Sequence, residues 1–129
     1  MPSIFTRIIN GEIPCYKVSE NDVFMAFLDI NPLRAGHTLV VPKVEIDYIF
    51  DLESDVFGEM FKYAQMVAKN IKANIKCNRV AIIVLGLDVP HAHIHLIPMD
   101  TMADVNFAND KLKLSPEEFI EIQKLIQIV

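Results

Sequence analysis

From Val56 to Ile75, apolar residues recur at three- and four-residue intervals: Val56, Phe57, Met60, Phe61, Ala64, Val67, Ala68, Ile71 and Ile75. That is the period of one helix face, so the pattern predicts a long amphipathic helix between Glu53 and Lys76 with its stripe turned to a core. A shorter stripe, Ile4, Phe5 and Ile8, predicts a helix over residues 3–10, with Ser3 as N-cap, Gly11 as stop and Pro14 beyond it. Near the other end, Ser115-Pro116-Glu117-Glu118 joins an N-cap serine, a proline at the first helical position and an acid at the third. It predicts a last helix carrying Phe119, Ile122, Leu125 and Ile126 to the end of the chain.

Between the first two helices the pattern changes to that of strands. Val18 and Val23–Leu28 flank the turn-forming Glu20-Asn21-Asp22 and predict a hairpin, and His37–Val41 predicts a third strand closed by Pro42. Arg79–Leu85 is almost wholly apolar and β-rich, which predicts a central strand. A fifth follows in the alternating segment from His91 to Leu96. Residues 99–114, with Asp104, Asn106, Asn109 and Asp110, read as a mobile connection. No repeat or linker divides the 129 residues, so they predict one domain. The class expected is α+β, a five-stranded antiparallel meander with its helices on one side.

Composition narrows the partners. A hydrophobic fraction of 52% with 22% charged residues is that of a soluble globular protein. The net charge of -5, with no cluster of Lys and Arg among aromatics, argues against a nucleic-acid surface. It leaves room for a small anion, since one phosphate can be held by backbone N–H groups and a few side chains. No signal-like N-terminus or bilayer-spanning run is evident, so a cytoplasmic protein without a membrane partner is expected. Cys15 and Cys77 form no metal or disulfide framework and read as reduced thiols.

Three of the four histidines, His91, His93 and His95, stand at every second position. In a strand this spacing puts all three imidazoles on one face and Ala92, Ile94 and Leu96 on the other. Imidazole serves as nucleophile, general base or metal ligand, and two rings at this spacing can share one zinc ion. Spacing alone leaves nucleophile and metal site both open. A purely structural row is harder to build, because each buried neutral ring needs its own donor and acceptor.

His91-Ala92-His93-Ile94-His95-Leu96-Ile97 resembles the defining motif of the histidine triad (HIT) family. The likeness extends to Ile4-Phe5, Ile8-Ile9-Asn10-Gly11-Glu12-Ile13-Pro14, Ala26-Phe27-Leu28-Asp29-Ile30-Asn31-Pro32 and Gly36-His37-Thr38-Leu39-Val40-Val41-Pro42-Lys43, in the family's order. It implies an α-phosphate hydrolase or transferase for a purine nucleoside phosphoramidate or dinucleoside polyphosphate, or else a nucleotide-binding regulatory protein with weak turnover. In the first reading His93 is the nucleophile, oriented by the backbone carbonyl of His91, with His95 and His37 assisting at the phosphate or leaving group. Asp29 matches an acid that binds ribose hydroxyls. Phe5, Ile8, Ile13, Phe27, Leu28 and Ile30 fall in the segments that surround the base, although each apolar position also reads as core and Asp29 as a cap of the Asn31-Pro32 turn.

Two departures stand out. The segment Leu85-Gly86-Leu87-Asp88-Val89-Pro90 lacks the amide side chains that help hold phosphate in the family, and it puts Asp88 near the expected phosphate. Many bacterial members also carry a structural zinc, but Ser3, Thr6 and Glu45 occupy its distal ligand positions here, so no metal and no cofactor are expected. The family resemblance also implies a two-fold homodimer. Unpaired sheet edges and apolar residues beyond one stripe of the long helix, Met60 and Met66 among them, point the same way.

Overall fold

The computed structural model describes residues 1–128. Three helices, α1 (Ile4–Ile9), α2 (Ser54–Asn74) and α3 (Pro116–Ile126), accompany strands β1 (Lys17–Glu20), β2 (Phe24–Leu28), β3 (Thr38–Pro42), β4 (Arg79–Ile83) and β5 (Ile94–Met99). The strands form one antiparallel sheet in the order β1-β2-β3-β5-β4. It departs from a simple meander only in seating β5 between β3 and β4.

Local chemistry explains the boundaries. Ser3 accepts from the Thr6 N–H to start α1, and Ser115 and Glu118 form the reciprocal capping box of α3. The β1–β2 turn closes because Asn21 Oδ1 accepts from the backbone N–H groups of Val23 and Phe24 at 2.9 and 2.7 Å. Gly36, at φ +97, leads into β3 where a Cβ would come within 2.5 Å of Ile75 Cδ1. Only glycine suits both demands.

The sheet separates two apolar layers. Alternate residues Phe24, Ala26, Leu28, Val40, Ile94 and Leu96 meet Met60, Tyr63, Ala64, Val67 and Ile71 of α2. On the other face, Met25, Phe27, Leu39 and Val41 meet Phe5 of α1. The helices therefore do not share one side, because α1 lies with the histidines on the face opposite α2. α3 ends before the chain does and packs on α2 beside β1, where Gln123 Nε2 donates to the Lys17 carbonyl and Ile128 N–H to that of Val18.

Three further sequence expectations need correction. β4 is an edge strand, with Ile82 50% exposed, so its apolar run does not mark a centre. Met60 is fully buried in the core, and only Met66 of the two methionines is exposed. The 99–114 connection is also tied down. Met102–Val105 forms a capped 3-10 turn, Arg34 pairs with Asp100 and Asp104, and Asp104 Oδ2 accepts from the Asp100 and Thr101 N–H groups.

Candidate active site

His91 and His93 lie just before β5 rather than inside it. Their backbone leaves the sheet ladder, His91 N–H donating to the Val89 carbonyl and Ala92 N–H to Ile46. The side chains still alternate. Ala92, Ile94 and Leu96 enter the α2 core, while the three imidazoles face α1 and are almost entirely buried.

Each buried ring has a definable tautomer. His91 Nε2 must carry hydrogen because it lies 2.8 Å from the Pro42 carbonyl, so Nδ1 accepts from Ser3 Oγ at 2.7 Å. Burial lowers the His91 pKa, in keeping with a neutral ring. His93 Nδ1–H donates to the His91 carbonyl at 2.8 Å, which leaves a lone pair on Nε2. That nitrogen is buried and makes no hydrogen bond, although Asp88 Oδ1 stands 3.3 Å away.

The other two histidines form a relay that begins at the backbone. Leu33 N–H donates to His37 Nδ1 at 3.0 Å, so His37 carries its hydrogen on Nε2, 3.0 Å from His95 Nδ1. His95 must then carry hydrogen on its own Nε2, where it can donate to an anion. Burial above all pushes His37 down to about 3 and His95 to about 4, helped at His37 by the neighbouring His95 and Lys111 and at His95 by His93, so both remain neutral near pH 7.

The open cavity in front of these rings, about 210 Å³, is lined by Phe5, Ile8, Ile13, Phe27, Leu28, Asp29, Ile30, His93 and His95. His91 and His37 lie outside its lining and act on it only through His93 and His95. Of the two jobs open to Asp29, the structure shows the cap. Its Oδ1 caps the turn by accepting from Asn31 N–H at 2.8 Å, and Oδ2 lies 3.5 Å from His37 Nε2. Desolvation raises the Asp29 pKa.

Sequence reasoning missed several residues around the cavity. Val89, Asn31 and Cys15 line it, and Phe107 packs edge-on against His95 and His37 with centroid distances of 4.9 and 6.3 Å. Phe107 lay in the segment read as mobile, and nothing near it in sequence gives its aromatic contact away.

Ser3, Thr6 and Glu45 converge on His91, but as hydrogen-bonding groups. Glu45 Oε1 accepts from Ser3 N–H and Thr6 Oγ1, each at 2.6 Å, and these bonds draw its pKa down to about 2. Two neutral hydroxyls and one carboxylate, already satisfied by one another and by His91 Nδ1, do not fit a structural zinc. Among the described residues, the clusters dense enough for a cation are Asp29-His37-His95 and Asp88-His93-His95. The first is already spent on the relay.

Removing the Ser3 hydroxyl would unpair the Thr6 N–H and leave His91 Nδ1 only the long 3.4 Å contact with Thr6 Oγ1, whose hydrogen is already given to Glu45. Ser3→Ala is therefore expected to lower unfolding free energy by about 2–3 kcal/mol, the sum of a lost N-cap and an orphaned buried acceptor. Urea denaturation measures it, and an unchanged midpoint would mean that Ser3 does not anchor His91.

With this geometry in view, the similarities to known proteins are specific. A HIT-like protein of Borreliella burgdorferi is 34% identical over a 133-residue alignment covering 97% of this chain and 96% of that protein. An adenosine 5′-monophosphoramidase of Schizosaccharomyces pombe is 35% identical over 101 residues, 76% of this chain and 74% of that one. The crystal structure of a HIT-like protein from Bartonella henselae superimposes with a TM-score of 0.83 at 28% identity, covering 97% of this chain and 94% of the other. The HIT domain pattern itself matches residues 10–102, and the chain belongs to the HIT domain family.

Proposed function

We propose that this chain is a nucleotide hydrolase or transferase acting at the α-phosphate of a purine nucleoside phosphoramidate or dinucleoside polyphosphate. The observation that carries the reading is the buried, unpartnered Nε2 lone pair of His93, aimed by the His91 carbonyl at a cavity lined by Asp29. His93 Nε2 attacks phosphorus and the leaving group departs, giving a nucleotidyl-histidine; water then resolves it to the nucleotide and restores the imidazole. His95 Nε2–H donates to a phosphate oxygen where negative charge grows. Asp29 accepts from the ribose, and Phe5, Ile8, Ile13, Phe27, Leu28 and Ile30 enclose the base. The similarity to the S. pombe adenosine 5′-monophosphoramidase supports this chemistry. No helix among the described residues is long and apolar enough to cross a membrane, and the proposed setting is the cytoplasm.

AMP release from adenosine phosphoramidate is the direct test. A binding protein with weak turnover is the second reading, favoured by Asp88 Oδ1 standing 3.3 Å from the nucleophilic nitrogen. Micromolar AMP binding without turnover of any phosphoramidate would select it.

The proposal includes a homodimer. β4 is an edge strand with no neighbouring strand on its outer side among the described residues, and Ile82, Leu85, Leu87, Tyr48, Phe50 and Met66 are exposed. α3 covers α2 beside β1, at the opposite edge of the sheet from β4. Light scattering at micromolar concentration is expected to give twice the 14.7 kDa chain mass, little affected by salt if the contact is mainly apolar. A monomer mass would overturn it.

A further inference from the structure

The cavity is unusual for a phosphate site in its balance of charge. Among the residues lining it there are two carboxylates, Asp29 and Asp88, and no lysine or arginine. Lys111 is close enough to influence Asp29 and His37, but it is not part of the lining. Asp29 is turned inward to the turn and His37, whereas Asp88 is 66% exposed at its side chain and stands at the mouth, beside His93 Nε2. One phosphate can be held by the neutral His95 donor. A polyphosphate tail would have to leave past an unopposed carboxylate.

We infer that Asp88 selects the leaving group, favouring phosphoramidates whose amine carries a positive charge over substrates whose leaving group is an anionic phosphate. The inference rests on His93 acting at the α-phosphate. In that reaction the His93 Nε2–P bond forms as the P–N bond breaks, and the bonding pair stays on the amine nitrogen, which takes its protons from solvent. Water then attacks phosphorus and returns two protons. Over both steps the water oxygen ends on the phosphate and its two hydrogens on the amine, which leaves as an ammonium. Asp88 attracts that ammonium, and any cation already on the amine, and it repels a departing phosphate.

Three adenylyl donors separate the effects: AMP joined through a P–N bond to an ethylenediamine, AMP joined to an uncharged alkylamine, and diadenosine tetraphosphate. For Asp88→Asn against wild type, kcat/KM is expected to fall about tenfold on the first and rise about tenfold on the third, a swing of about a hundredfold in their ratio, with the second between them. The swing should shrink as salt rises, because Asp88 is exposed. A common change in all three, with their ratios kept, would overturn the selector role and leave Asp88 a structural loop residue. Failure of the underlying reading looks different: wild type would release AMP from none of the three, or His93→Ala would release it as fast as wild type.

Discussion

His93→Ala is expected to slow AMP release from adenosine phosphoramidate by at least about a thousandfold, because it removes the atom that forms the covalent intermediate. AMP should still bind within a few-fold of wild type, since Asp29 and the apolar wall of the cavity are untouched. The His93 ring makes one hydrogen bond, to the His91 carbonyl, and edge contacts with Phe5 and His95 at centroid distances of 5.0 Å each. Truncation therefore leaves a cavity as well as a missing nucleophile. His93→Gln keeps more of the volume without a nucleophilic nitrogen and should be equally inactive. If both variants fold, bind AMP and turn over at the wild-type rate, His93 is not the nucleophile. A nucleotidyl adduct trapped on the His93 peptide of wild type, and absent from both variants, completes the case.

The row of imidazoles was legible because its information is local. A two-residue period on one side and Ala92, Ile94 and Leu96 on the other state which face is which, wherever the strand begins. The beginning itself was not legible. It depends on Ala92 N–H finding the Ile46 carbonyl outside the sheet. Caps at Ser3 and Ser115 could be read for the same reason as the row, each being settled within four residues.

Position in the sheet is a different kind of fact. The run Arg79–Leu85 says that a strand is apolar, but nothing in it says whether a second strand lies beyond, and β4 lies at the edge. Likewise Arg34 meets Asp104 across 70 positions, and Ser3 meets Glu45 across 42 and His91 across 88. Such contacts have no period to betray them. Resemblance to the histidine triad family brought Ser3, Thr6 and Glu45 together as lost zinc positions, whereas the structure gives them a task of their own in fixing the His91 tautomer.

Unfolding free energy is expected to fall by about 2–4 kcal/mol between pH 7 and pH 5, most of it through His37 and His95. In the unfolded chain both titrate near 6.5 and are almost fully protonated at pH 5. In the folded chain, at about 3 and 4, both are still neutral there. The unfolded state therefore binds more protons over this window, so stability rises with pH and is lost as pH falls from 6.5 toward the folded values. Each ring contributes about 1.4 kcal/mol per pH unit once its unfolded form is protonated. The groups facing the pair act in both directions: Asp29 Oδ2, 3.5 Å from His37 Nε2, and Asp88 favour a charged ring, while Lys111 and His93 oppose it. The lowered pKa of His91 adds to the fall with the same sign and the raised pKa of Asp29 offsets part of it, while the lowered pKa values of Glu20, Glu45 and Asp104 cost stability only at more acid pH. Urea denaturation at half-unit steps measures the slope. His37→Gln combined with His95→Gln should flatten it whatever the absolute stability of the double variant. An equally steep slope in that variant would mean that the two rings are not the buried neutral pair, and His95 Nε2–H would lose its standing as the donor toward phosphate.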